Sequence, residues 1–150
     1  MEIFIDSQQT RIDIDQDELR RKAERILGGL DCNADTLLSL LLVDSAEMTR
    51  LNREYRGKDY PTNVLSFSQA EGETIAAQPH LLGDVVICTD RAADDAKELG
   101  YTEDEMVTYL LIHGILHLVG FVHDLPKDAA AMQEQVDRIF AEFYPYTSAE

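Results

Sequence analysis

The 150-residue chain has few of the features that mark secreted or membrane proteins. Its two cysteines, Cys32 and Cys88, lie far apart and form no Cys-x-x-Cys pair, so no disulfide framework is expected. No apolar run approaches the roughly 20 residues that span a bilayer. The first residues, MEIFIDSQQ, contain no basic segment and no long apolar stretch, which predicts no secretion signal. These absences favour a cytoplasmic protein with two reduced thiols and no membrane contact.

Positive charge is scarce, because 13 Lys and Arg residues are outnumbered by 29 Asp and Glu, giving a net charge of −16. Such an acidic chain is not expected to bind nucleic acids or anionic membranes in general. The imbalance is uneven: residues 1–58 carry a net charge of −3, and residues 59–150 carry −13. A polyanion would therefore meet the protein at one of two basic stretches, RRKAER (20–25) or RLNREYRGK (50–58). For 20–25, a solvated helix face is the simpler interpretation.

The rest of the composition is ordinary for a folded protein, and the length fits one domain over 1–150 with one core. Alternating or β-branched segments predict strands at 2–6, 36–44, 63–67 and 83–89. Helices are predicted after Asp15, Asp44 and Thr102, each followed three residues later by Glu, and also over 90–100 and from about Pro126. This mixture predicts an α+β fold in which a small mixed sheet of about four strands packs with helices.

Histidine is rare, yet three of the four histidines fall in HGILHLVGFVH, residues 113–123. His113 and His117 lie one helical turn apart, so both imidazoles can reach one metal ion at about 2.0–2.1 Å. Gly120 can take the left-handed conformation that ends a helix and returns the chain, which would bring His123 to the same point. Three nitrogen ligands leave a fourth position open, as in catalytic zinc sites. We therefore predict a metal site at His113, His117 and His123, for zinc or another divalent transition metal.

The spacing of these residues matches the long zinc-protease motif H-E-x-x-H-x-x-G-x-x-H, except that Gly114 replaces the glutamate that acts as general base. The missing carboxylate disfavours peptide hydrolysis. Glycine inside a helix costs about 1 kcal/mol relative to alanine, so its small size should have a use. Two uses remain open: room for a phosphate beside the metal, or close packing of the helix against a neighbour.

A second polar constellation lies in LNREYRGKDYPTNVLSF, residues 51–67. Arg53, Arg56 and Lys58 fall within six residues, next to the rigid Tyr60–Pro61 turn. Alone, they would be an ordinary solvated helix end. Beside an open metal site they predict a phosphate clamp, since the planar guanidinium fork fits two phosphate oxygens.

Three blocks, NREYRGKDYPTNVLSF, LLGDVVIC and HGILHLVGFVH, resemble in this order the bacterial endoribonuclease YbeY family, also called the rRNA maturation factor family. The resemblance implies one metal ion, usually taken to be zinc, held by His113, His117 and His123, with Arg56 facing it across a cleft. It implies an endoribonuclease that prefers single strands and acts in ribosomal RNA maturation and ribosome quality control. The implied partner is the small ribosomal subunit or its associated proteins. The implied fold is a small mixed sheet with the histidine helix at the centre.

One position departs from the family pattern. The family usually has Tyr-Asp before the third histidine, whereas this chain has Phe121 and Val122. The missing Asp could have oriented a metal ligand or contacted substrate, and Asp124 is the nearest replacement.

We hypothesise that the metal ion would hold a phosphoryl oxygen of the RNA. Arg56 would stabilise charge developing on the phosphorane, and Lys58 and Arg53 would hold the RNA backbone. Attack by a metal-activated water and attack by the 2′-OH of the RNA both remain open. So do two other functions: a non-catalytic ribosome assembly factor with a structural metal, and a metallopeptidase with an unusual base. The net charge favours RNA already held in a ribosomal particle over free RNA.

Overall fold

The structure is a computed structural model, which describes residues 1–69, 80–122 and 124–145. Within these ranges, four strands form one sheet: β1 (Glu2–Gln8), β2 (Leu37–Val43), β3 (Val64–Ser68) and β4 (Leu81–Cys88). The same ranges contain the helices α1 (Gln16–Gly29), α2 (Ser45–Arg56), α3 (Thr89–Leu99), α4 (Glu103–Leu118) and α5 (Pro126–Phe143). The predicted α+β fold with a small mixed sheet is confirmed. The predicted loop between β3 and β4 falls largely on residues 70–79, outside the described ranges.

The sheet has the strand order β1-β2-β4-β3. β1 pairs parallel to β2, β2 pairs parallel to β4, and β3 pairs antiparallel to β4. β4 is buried on both faces, whereas β2 is buried on one face and half-buried on the other, which accounts for their nearly continuous apolar sequences, LLGDVVIC and LLSLLLV. Because β3 is the last strand in this order, it lies at one edge of the sheet.

Helices cover both faces of the sheet and produce two hydrophobic clusters. One cluster joins the sheet to α1, α3, α4 and α5. The other joins it to α2, through Met48 and Leu51 packed near Phe67, Val86 and Cys88. Ten of the sixteen residues of α4 are buried, as expected for a helix surrounded by other elements. The helix that carries His113 and His117 is therefore the central one.

The predicted helix starts are confirmed at the level of individual hydrogen bonds. The side chains of Asp15, Asp44 and Thr102 each accept a hydrogen bond from the backbone N–H three residues later. Thr102 and Glu105 complete a reciprocal capping box at the start of α4. These caps satisfy N–H groups that the first turn would otherwise leave without partners, so they fix where each helix begins.

The interpretation of 20–25 as a solvated helix face is wrong for Lys22, which is buried. Its ammonium donates to Thr108 Oγ1 at 2.9 Å, to Tyr144 Oη at 2.8 Å and to Asp104 Oδ2 at 3.1 Å. Burial lowers the pKa of Lys22, but the hydrogen bonds to Tyr144 and Asp104 outweigh it, and the pKa is raised. Lys22 thus ties α1 to the first turns of α4 and to the residue after α5.

Both cysteines are free thiols; Cys88 is buried in β4, whereas Cys32 is only half-buried. Among the described helices, none combines the length and the apolar character that crossing a bilayer requires.

Candidate functional site

A cleft of about 450 Å³ opens between the C-terminal part of α4 and the edge strand β3. One wall is the end of α4 with the turn that follows it. The other wall is the segment from Thr62 to Ser68, and Arg56 at the end of α2 completes the rim. The cleft therefore brings residues of the histidine segment, 113–123, together with residues of the segment 51–67.

His113 and His117 lie side by side on the α4 wall. Their ring centroids are 4.8 Å apart and the ring planes are inclined at 68°. Both side chains are half-buried, because the opposite face of α4 packs against the sheet while this face borders the cleft. The predicted shared face is confirmed.

The chain reverses immediately after α4, as Gly120 predicts. The Gly120 N–H donates to the carbonyl of His117 at 3.1 Å, and the Phe121 N–H donates to that of Leu116 at 3.0 Å. This pair of bonds is the Schellman pattern, and Gly120 has the positive φ of 108° that it favours. Val122, beyond the turn, lines the cleft.

His123 lies outside the described residues, so its predicted role as a ligand stays a prediction. Its described neighbours, Val122 and Asp124, both line the cleft. With only two of the three imidazoles placed, no set of three potential metal ligands is found in the described part of the chain. Asp124, the nearest replacement for the missing family carboxylate, therefore lies at the cleft.

Arg56 is held by the strand that it faces. Its Nη2 donates to the carbonyl oxygen of Ser66 at 2.9 Å, and its Nη1 donates to that of Tyr55 at 3.4 Å. Its guanidinium carbon lies 4.8 Å from the centre of the Phe67 ring, within cation–π distance. The Tyr55 ring packs against the same phenylalanine, with centroids 5.0 Å apart. These contacts place the Arg56 fork at the rim of the cleft that His113 and His117 also line.

Arg53 and Lys58 are not brought to this cleft. Arg53 forms an exposed ion pair with Asp59, with Nη1 and Oδ1 3.0 Å apart. Lys58 follows the left-handed Gly57 that ends α2, and its side chain is exposed. Neither residue lines the cleft. Their proposed contacts with substrate stay predictions, and of the three basic residues only Arg56 lines the cleft.

Gly114 faces the sheet rather than the cleft. A Cβ atom at this position would lie 2.6 Å from Val85 Cγ1 and 3.3 Å from Ser66 Oγ. The Ser66 hydroxyl also donates to the carbonyl of Gly114 at 3.0 Å, which ties α4 to β3. Of the two uses considered for this glycine, the structure therefore supports close packing of the helix. The absence of a glutamate beside the first histidine follows from that packing.

We expect Gly114→Ala to destabilise the protein by about 1–2 kcal/mol, because overpacking a rigid core costs about 1–3 kcal/mol and the better helix propensity of alanine returns only part of it. Urea unfolding with an unchanged m-value measures this. Gly28→Ala is the matched control, since that helical glycine has open space around its Cβ position. Equal stability of the two variants would contradict the packing argument, and Val85→Ala should partly rescue Gly114→Ala.

The sequence did not identify all the residues that shape the cleft. Thr62, Ser66 and Ser68 line it, and Phe67 supports Arg56 from behind. The alternation in NVLSF shows that Ser66 and Phe67 point to opposite faces. That pattern gives no indication that β3 is an edge strand, which is what exposes it to the cleft.

The chain is similar in sequence and in fold to known proteins. The family model described as "Endoribonuclease YbeY" matches residues 4–144. A protein of this name from Syntrophus aciditrophicus is 38% identical over 148 residues, covering 97% of this chain and 92% of the relative. Another, from Geobacter metallireducens, is 43% identical over 143 residues, covering 94% of this chain and 95% of the relative. A solution structure of a Thermotoga maritima protein matches with a TM-score of 0.61, at 24% identity, over 99% of this chain and 95% of that one, and supports the fold.

Proposed function

Because this chain belongs to the endoribonuclease YbeY family, we propose that it is a metal-dependent endoribonuclease that cuts single-stranded RNA during ribosomal RNA maturation and quality control. The substrate would be ribosomal RNA, and the partner would be the small ribosomal subunit or its associated proteins. The observation that carries the proposal is the cleft itself. It joins the imidazoles of His113 and His117 to the fixed guanidinium of Arg56, two features that lie more than fifty residues apart in the sequence.

The donor set fits a metal ion such as zinc. His113 and His117 present adjacent imidazoles on one wall of an open cleft, and His123 is the third proposed ligand. Imidazole is a ligand of choice for zinc and for several other divalent transition metals. When bound, the metal would supply Lewis-acid polarisation of a phosphoryl oxygen.

Arg56 supplies a positively charged side chain that can bind phosphate oxygens. Its charge and planar fork suit two oxygens of one phosphodiester, and its bonds to Ser66 and Tyr55 hold the fork before substrate arrives. A donor fixed in advance stabilises charge developing in the transition state without reorganising at that moment. Arg56 would therefore bind and orient the scissile phosphate.

A net charge of −16 disfavours binding of RNA, and association with a ribosomal particle would compensate for this repulsion. A cleft with one arginine at its rim gives little electrostatic attraction to a free polyanion. Protein contacts on the particle would then supply the binding energy. We expect only weak binding to bare RNA, and tight binding at moderate salt would contradict the partner proposal.

The function is tested by removing and restoring the metal. Purified protein is incubated with a single-stranded ribosomal RNA fragment before chelation, after chelation, and after one equivalent of zinc is restored. A duplex of the same sequence serves as the comparison substrate. We expect cleavage of the single strand to be lost on chelation and recovered with zinc, with slower cleavage of the duplex.

Other outcomes identify the competing functions. Cleavage that survives complete removal of metal contradicts the proposal. If the protein holds one metal ion yet never cuts, alone or with small subunits present, the assembly-factor function is favoured. Cleavage of an unfolded protein substrate would revive the metallopeptidase.

A further inference from the structure

The edge strand β3 has a fixed pattern of backbone directions. Cys88 donates its N–H to the carbonyl of Asn63 at 2.9 Å, and Gln69 donates to the carbonyl of Leu82 at 3.0 Å. In an antiparallel pair, residues that exchange such bonds alternate with residues that do not. Residues 63, 65, 67 and 69 therefore direct their polar backbone groups towards β4. Val64, Ser66 and Ser68 direct theirs away from it.

This outward side of β3 is a wall of the cleft. No other strand in the described ranges pairs with it, and Val64, Ser66 and Ser68 all line the cleft. The hydrogen bond from Arg56 Nη2 to the Ser66 carbonyl independently shows that the backbone of Ser66 points outward. Ser68 is buried, whereas Val64 and Ser66 are half-buried, so these two are the more accessible of the outward residues.

Arg56 makes this edge unsuitable for another β-strand. A strand added to an edge pairs with both the N–H and the C=O of each outward residue. The Ser66 carbonyl, at the middle of β3, already accepts from Arg56. With the Ser66 carbonyl engaged, the three outward N–H groups and the guanidinium outnumber the two other outward carbonyls, those of Val64 and Ser68, so the edge suits a ligand rich in acceptors. A phosphodiester backbone is such a ligand, and backbone N–H groups are common partners of phosphate oxygens.

We propose that the outer edge of β3 binds the sugar–phosphate backbone of a single RNA strand. The N–H groups of Val64 and Ser66, about 6.8 Å apart in an antiparallel strand, donate to phosphate oxygens next to the phosphate held by Arg56. This inference rests on the proposed endoribonuclease function and extends it. Contacts of this kind position a strand without reading its bases, so binding through the edge is independent of sequence.

Amide chemical shifts test the edge directly. Isotope-labelled protein with its metal is titrated with a 2′-O-methyl single-stranded oligonucleotide, in which attack by the 2′-OH is blocked. We expect the amides of Val64 and Ser66 to shift much more than those of Leu65 and Phe67, which face β4. Equal shifts along β3, shifts confined to other elements, or no binding at all would overturn the proposal.

Two substitutions of Ser66 separate the backbone donor from the side chain. Ser66→Pro removes the outward N–H but keeps the carbonyl that Arg56 uses, and proline is tolerated where the N–H of an edge strand faces outward. Ser66→Ala keeps the N–H and removes only the hydroxyl bonded to Gly114. We expect Ser66→Pro to bind the oligonucleotide about tenfold more weakly than Ser66→Ala, as the loss of one charge-assisted hydrogen bond implies.

These experiments can fail for edge binding and for the proposed endoribonuclease function separately. If Ser66→Pro and Ser66→Ala both fold and bind the oligonucleotide with equal affinity, the proposal that the edge binds RNA is overturned, even if the wild type cuts RNA. If Ser66→Pro does not fold, the amide titration of the wild type decides. An extended peptide that displaces the oligonucleotide and shifts the same amides would show a strand-pairing edge and also overturn the proposal. Edge binding in a protein that never cuts would instead remove the nuclease function.

Discussion

Arg56→Ala should lower kcat for RNA cleavage by about 10²–10³-fold, the usual cost of removing one preorganised donor that stabilises transition-state charge. The loss should appear mainly in kcat, because the bonds to Ser66 and Tyr55 position the guanidinium before substrate binds. Arg56→Lys should recover only part of the rate, since an ammonium keeps the charge but lacks the planar fork. Cleavage of a single-stranded RNA under saturating conditions measures both effects.

The control for Arg56 must separate catalysis from structure. Arg56 also packs on the buried ring of Phe67, so its removal could loosen the end of α2. Arg50→Ala is a matched control on the same helix, because Arg50 is engaged in ion pairs with Glu47 and Glu54 and lies outside the cleft. Bound metal and urea midpoints are measured for all variants. If Arg56→Ala keeps its metal, its stability and its rate, Arg56 has no catalytic role.

His117→Ala should abolish cleavage together with stoichiometric metal binding. We expect the metal affinity to fall by more than about 100-fold, since even removing a hydrogen-bond partner behind a ligand costs about 10–100-fold. Elemental analysis of the purified variant and a competition titration against a chelator give the occupancy and the affinity. The fold should survive, because His117 borders the cleft and the buried face of α4 is unchanged.

His80→Asn is the matched control for His117. It removes the one histidine outside residues 113–123, and asparagine tolerates the positive φ of 66° found at His80. It should keep both metal and activity. Full metal occupancy in His117→Ala would contradict the three-histidine site, and full activity with no metal bound would contradict the proposed chemistry as a whole.

Local sequence patterns determined most of the secondary structure. Asp15, Asp44 and Thr102 were recognisable as helix starts because each side chain caps the N–H three residues later, a bond that depends only on nearby chain. Gly120 was recognisable as the end of α4 for the same reason: the left-handed conformation favours glycine. The side-by-side imidazoles of His113 and His117 needed only helical spacing.

Packing between distant segments decided the rest. Lys22 looked like a surface lysine, because the partners that accept its hydrogen bonds lie more than eighty residues away. The sequence alone could not show which use Gly114 has. Val85, which leaves no room for a larger residue there, contacts Gly114 only because α4 packs against β4. Likewise, residue type and spacing did not separate Arg53, Arg56 and Lys58. The family resemblance singled out Arg56, and in the structure it is the one of the three that lines the cleft.

By itself, the sequence determined the helices, the strands, the histidine pair and the resemblance to a nuclease family, because each is encoded in short-range spacing. Only the tertiary structure decided that β3 is an edge strand, that Val64, Ser66 and Ser68 line the cleft, and that Arg56 donates to the carbonyl of Ser66. Strand order and register arise from contacts between residues far apart in the chain, and period-two alternation is the same in an edge strand as in a central one.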